Sequence, residues 1–135
     1  MKKVLLLSSI IFLVLGLCVT VYASKPTTVE VLYMNHGPLK ETVDKMKSLF
    51  SKYGAKVSVS WYDFDSAEGE QFMAKKGIKQ HVPLIIWIDG SPVVSMGAKK
   101  VQFAGFPSGS GPAFFQGKWT MDDLKAALDQ TTAKQ

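Results

Sequence analysis

Few side chains in this sequence could do chemistry, and their types narrow what that chemistry is. His36 and His81 are the only histidines, and Cys18 is the only cysteine. A dithiol cycle needs two sulfurs that can pair, so residues 24–135, which hold no cysteine, cannot run one. His36 stands in the stretch Tyr33-Met34-Asn35-His36-Gly37-Pro38-Leu39-Lys40, which closes an apolar run and opens an amphipathic one. At the start of a helix the positive end of the dipole disfavours imidazolium, and a neutral ring can accept a proton or bind a metal. The same histidine can equally be an exposed corner residue with no chemical task. Two carboxylate pairs, Asp63 with Asp65 and Asp122 with Asp123, invite an acid–base reading. That reading requires burial to raise one pKa, and both pairs lie at element boundaries, where a solvated structural role is expected. No Ser/His/Asp spacing, phosphate-cradling glycine loop or zinc-type Cys/His cluster is present.

The chain that must position these residues begins with a leader. Lys2 and Lys3 precede an apolar run over residues 4–22, and Ala23 precedes Ser24. This is the pattern of an export signal cut after Ala23. The run also approaches the length that spans a bilayer, so an uncleaved N-terminal anchor is the alternative. A lipid on Cys18 is disfavoured by the bulky Leu17. Residues 24–135 then make one domain, too short for two hydrophobic cores. All 16 basic residues are lysines; without the bidentate forks of arginine, nucleic-acid recognition is not expected. Leaving out Lys2 and Lys3 takes the net charge from +5 to +3, an ordinary soluble surface.

Taken in order, Val29-Glu30-Val31-Leu32-Tyr33-Met34 reads as a strand buried on both faces. Pro38 suits a first helical turn, and Val43, Met46, Leu49, Phe50 and Tyr53 give the next segment one apolar face, ending at Gly54. Lys56 to Tyr62 reads as a second strand, parallel to the first. A shorter helix over residues 67–76 stops at Gly77 with Phe72 and Met73 turned inward. An apolar run from Pro83 ends in Asp89-Gly90 and is followed by Ser91-Pro92-Val93-Val94, a hairpin signal. A further turn at residues 97–100 feeds Val101 to Phe106. The loop over residues 107–118 is rich in Gly, Ser and Pro. Phe114, Phe115 and the adjoining Trp119 can line a groove or lid the core. Thr120 caps a last helix with Met121, Leu124 and Leu128 on one face, and the tail after Gln130 is expected to fray.

This order resembles thioredoxin-like domains over residues 28–130. Three local matches carry the resemblance: the His36-Gly37-Pro38-Leu39-Lys40 corner, where the family has Cys-Gly-Pro-Cys-Lys; the segment from Asp65 to Gly77-Ile78; and Val82-Pro83 opening a strand that ends in Asp89-Gly90. The resemblance implies an α/β fold with a central mixed sheet flanked by helices. It also implies a cis-proline at Pro83, before the third strand and close to His36. Glu30 takes the place of the family's buried acid, and His81 comes to the same edge as His36. The sequence departs from the family in a segment before Pro83 that is one residue longer, in Met34 and Asn35 where aromatic residues are usual, and in the extra 107–119 loop.

The function expected from this is binding without dithiol chemistry. An exported domain, periplasmic or extracellular, would hold a peptide or envelope protein in a groove made by His36, Gly37, Pro38, His81, Val82, Pro83, Phe114 and Phe115. No cofactor is expected, and membrane contact only through an uncleaved leader. The residue before such a proline offers unpaired backbone groups to a passing strand. Two alternatives stand beside it. One is an enzyme acting on glutathione or another thiol through His36. The other is metal delivery through His36 and His81, with Asn35, Glu30 and Met34 as further donors, since stable sites usually have three or four ligands.

Overall fold

The computed structural model describes residues 24–35 and 37–135. The leader and everything expected of His36 lie outside the described residues. The described chain runs β1 (Thr27–Tyr33), α1 (Leu39–Ser51), β2 (Val57–Asp63), α2 (Ala67–Lys76), β3 (Leu84–Ile88), β4 (Val93–Met96), β5 (Lys99–Gln102) and α3 (Met121–Thr132). It is an α/β arrangement with a mixed three-stranded sheet in the order β2-β1-β3 and a separate β4-β5 pair. Strand β1 runs parallel to β2 and antiparallel to β3. This architecture is compatible with the thioredoxin-like expectation.

Side-chain alternation places helices on both faces of the sheet. Val29 and Val31 of β1, with Leu84, Ile86 and Ile88 of β3, join Val43, Met46 and Phe50 of α1 and Leu124 and Leu128 of α3 in one core. Leu32, Ile85 and Trp87 point the other way, onto Phe72 of α2. Phe72 stacks on Tyr62 at 3.8 Å between ring centroids and meets Trp87 edge-on at 5.3 Å. Helix α2 has the bounds its sequence predicts, with the Ser66 side chain accepting from the Gly69 amide and Gly77 closing the C-terminus.

The hairpin signal is half right. Ile88 and Ser91 exchange both backbone hydrogen bonds across Asp89-Gly90, and both turn residues have positive φ. Beyond that point β4 leaves β3 and pairs with β5. Pro92 has no N–H to give a ladder; its carbonyl instead accepts from the Phe103 amide. The edge of β3 is taken by residues 103–105, through Ile86 N–H to Phe103 O and Gly105 N–H to Leu84 O.

The expected cis-proline is corrected: among the described residues no peptide bond is cis, so Val82-Pro83 is trans. Trans is the favoured isomer of an X-Pro bond by about 0.5–1 kcal/mol. In this geometry the Pro83 carbonyl still accepts from the Met34 amide at 3.1 Å, so the turn into β3 stays fastened to the corner. The tail is corrected too. Helix α3 continues to Thr132, and the Gln135 side chain donates to Thr27 Oγ1 and Lys56 O.

Thr120 and Asp123 form a reciprocal capping box at the start of α3. Thr120→Ala is expected to cost about 1 kcal/mol in urea denaturation. Lys99 Nζ donates to Asp123 Oδ1 at 2.6 Å, and this bond, with those from Thr120, holds the carboxyl below the usual carboxylate range. A carboxyl whose pKa is lower folded than unfolded stabilises above its unfolded value of about 4 and loses that effect as pH falls through its folded value. The melting-temperature gap between wild type and Asp123→Asn should therefore be widest near neutral pH and narrow below about pH 4. A gap independent of pH would remove ionisation from the account.

Candidate functional site

The corner between β1 and α1 is built by two hydrophobic demands. Leu39, at the first position of α1, is buried at 1 % exposure and pins the helix start to the core. Pro38 precedes it as the N-cap residue with helical φ and no side-chain cap. Gly37 has positive φ, which a turn this tight asks of glycine. Opposite the corner, the Met34–Pro83 hydrogen bond brings the entry to β3 alongside. Tyr33 closes β1 edge-on to Trp61 at 5.6 Å; burial first, and then Asp63, raise its pKa.

Between these elements lies a cavity of about 330 Å³ lined by Met34, Pro38, Leu39, His81, Pro83, Phe106, Pro112 and Phe115. Four residues expected in a groove, Pro38, His81, Pro83 and Phe115, line it. Gly37 is exposed next to it in sequence. Phe114 does not line it: the ring is 86 % exposed and stacks on Phe115, itself 42 % exposed, at 4.7 Å. Val82 turns its side chain to the opposite face, against the cluster of Leu32, Phe72, Ile85 and Trp87. Its amide and carbonyl make no hydrogen bond to another described residue.

The 107–118 loop is a built wall. Phe106 and Phe115 are joined by Phe106 N–H to Phe115 O, and Gly117 N–H returns to Phe106 O at 2.7 Å. The Gln116 side chain accepts from the Gly109 amide and donates to the Gly111 carbonyl. Gly111 has φ +68°, and a Cβ there would sit 2.4 Å from the Phe106 ring, so only glycine lets the loop close on that wall. Trp119 belongs to the core, fully buried against Phe103.

The other candidates are placed elsewhere. The His81 ring meets Phe64 edge-on at 4.3 Å. Asp63 accepts from the Asp65 amide at 3.1 Å, a turn contact. Asp122 is exposed, and Asp123 is committed to Lys99 and the cap. Glu30 is drawn away from the corner into an ion pair with Lys76. Among the described residues no group of three or more His, Cys, Asp or Glu is placed to hold a metal ion, and no helix is long and apolar enough to cross a membrane. Sequence reasoning missed Leu39, Phe106 and Pro112 as cavity walls. Leu39 was readable as the apolar residue four before Val43, one helical turn away; Phe106 and Pro112 depend on a loop closure that no local pattern announces. No protein-family model matches the chain, and no curated protein matches it at a significant level.

Proposed function

We propose that this chain is an exported, cysteine-free relative of thioredoxin-like domains that binds an extended peptide or protein segment through the corner cavity. What carries the reading is that cavity: about 330 Å³, apolar, and bounded by Pro38, Pro83 and Phe115. Small-molecule pockets run from roughly 300 to 1,000 Å³, so this one suits a large apolar side chain rather than a bulky cofactor. Between the lining residues His81 and Pro83, the amide and carbonyl of Val82 have no hydrogen-bond partner among the described residues, as strand addition requires. A segment laid there uses backbone groups for affinity and one buried side chain for selection. Neither step needs a thiol, which fits the absence of cysteine from residues 24–135.

Panning a random heptapeptide display library on the immobilised domain tests this. Enriched peptides should share one large apolar residue, and their binding should fall at least about tenfold in Phe115→Ser, the loss of one aromatic wall of the cavity. Val82→Pro, which removes the free N–H, should weaken binding with the fold retained by circular dichroism. Enrichment without an apolar consensus, or binding unchanged in both variants, refutes the reading.

A further inference from the structure

The two edges of the sheet end differently. Residues 103–105 close the outer edge of β3, whereas no described residue pairs with the outer edge of β2. The strand Val57-Ser58-Val59-Ser60-Trp61-Tyr62-Asp63 has no proline, glycine or lysine of its own to blunt that edge. Which backbone groups it presents follows from its bonds. The Phe64 amide donates to Tyr33 O on β1, so by the alternation of a strand residues 58, 60 and 62 turn their amides and carbonyls toward β1. Residues 57, 59, 61 and 63 turn theirs outward. Two of these outward groups are already used: the Val57 amide on Gly54 O, and the Asp63 carbonyl on the Ser66 amide and hydroxyl. The free groups therefore run from the Val57 carbonyl to the Asp63 amide, with Ser60 at their centre.

A row of donors and acceptors symmetric about its middle residue matches an antiparallel copy of itself. With Ser60 opposite Ser60 of a second copy, Val59 faces Trp61 of that copy and exchanges both backbone hydrogen bonds with it, and the twofold axis repeats the exchange. At each end the two used groups fall opposite each other, and so do the two free ones. Sliding one copy by two residues either way sets a free group against a used one. Charge selects the same arrangement. Lys52 and Lys56 stand before β2, and Asp63 and Asp65 stand at its end. Antiparallel copies bring lysines to carboxylates, whereas parallel copies set like against like. Val59 and Trp61, half-buried on the α1 side of the sheet, then meet across the seam as a β-branched residue opposite a ring, a favourable cross-strand pair.

We infer that the partner of this edge is a second copy of the chain, the two β2 strands joining antiparallel about Ser60 into one sheet of order β3-β1-β2-β2-β1-β3. Because β1 runs parallel to β2, the two corner cavities open toward opposite ends of the joined sheet. No residue of β2 lines the corner cavity, so dimerisation and peptide binding stand or fall separately.

The full sequence is expressed with Cys18→Ser, which leaves no thiol, and its mass is read by sedimentation velocity. The intact edge should give about twice the mass of one copy. Ser60→Glu sets two like charges directly opposite each other on the axis and should return the mass to one copy, with an unchanged circular dichroism spectrum. Ser60→Cys reads the register. A non-hydrogen-bonded pair brings its Cα atoms to about 4.5 Å, within disulfide reach, so mild oxidation should give a reducible covalent dimer. Ser58→Cys, placed opposite Tyr62 of the second copy, keeps its two thiols roughly 13 Å apart and should stay unlinked, as should Ser95→Cys on β4. A single-copy mass at concentrations up to about 0.2 mM, a dimer that persists in Ser60→Glu, or cross-linking of Ser58→Cys as fast as Ser60→Cys overturns the inference.

Discussion

Trp119→Ala is expected to destabilise the domain by about 3–5 kcal/mol, the usual cost of emptying a buried tryptophan site. The side chain is fully buried and packs edge-on to Phe103, with ring centroids 5.4 Å apart. Its Nε1 donates to the Gly105 carbonyl at 3.1 Å, and its own carbonyl accepts from Ser108 at 2.7 Å. The ring thus joins residues 103–105, which extend the sheet, to the loop that walls the corner cavity. Alanine leaves a hole and also orphans the Gly105 carbonyl. With a urea dependence of about 1–3 kcal/mol per molar, the midpoint should fall by more than about 1 M. Trp119→Phe keeps most of the apolar area and loses only the N–H, so it should cost about 1–3 kcal/mol. The alanine variant should also lose peptide binding under conditions where circular dichroism shows it folded, because Phe106, Pro112 and Phe115 no longer share a fixed wall. A loss of under 1 kcal/mol, or unaltered binding, would show the loop to be held by other means.

The architecture was readable wherever a local rule and the tertiary demand coincide. Helix α2 announces itself because Ser66 and Gly77 satisfy its two ends and Phe72 its buried side. Thr120 does the same for α3. Strand β3 was readable as an unbroken apolar run, and all five of its residues are buried. Local rules misled where a distant segment competes. Asp89-Gly90 makes the turn expected of it, but residues 103–105 displace β4 from the edge of β3. Proline at position 83 is compatible with either isomer, and nothing near it in sequence selects one. For the site, Pro38, His81, Pro83 and Phe115 are expected from the sequence and line the cavity. Phe114 and Phe115 are adjacent and chemically identical, so only the single 3₁₀ turn over Ala113–Phe115 decides which ring faces inward.

The ion pair between Glu30 and Lys76 is the other place where a large and directional effect is expected. Glu30 interrupts the apolar run of residues 29–33 in a strand packed on both faces, so its charge needs a partner. Lys76 provides it from the last turn of α2, with Nζ 2.5 Å from Oε2 and side chains 17 % and 23 % exposed respectively. The same ammonium lies 5.1 Å from the ring centroids of both Phe72 and Trp87. The two partners are therefore unequal. In Glu30→Gln the cation keeps two aromatic faces, which attract it, and an amide oxygen to bond, so the cost should be about 1 kcal/mol. In Lys76→Met the carboxylate is left among rings whose faces repel negative charge. Breaking a fully buried pair costs about 3–5 kcal/mol, and partial exposure lowers this to about 2–3 kcal/mol. Replacing both, as Glu30→Leu with Lys76→Met, removes the stranded charge and should recover most of the loss, since an apolar pair of similar volume is often neutral. Urea denaturation of the two single variants and the double one measures this directly. Equal losses in the two single variants would mean that the aromatic faces contribute nothing to holding Lys76, and a double variant worse than Lys76→Met would mean that the pair itself, not the stranded carboxylate, carries the energy.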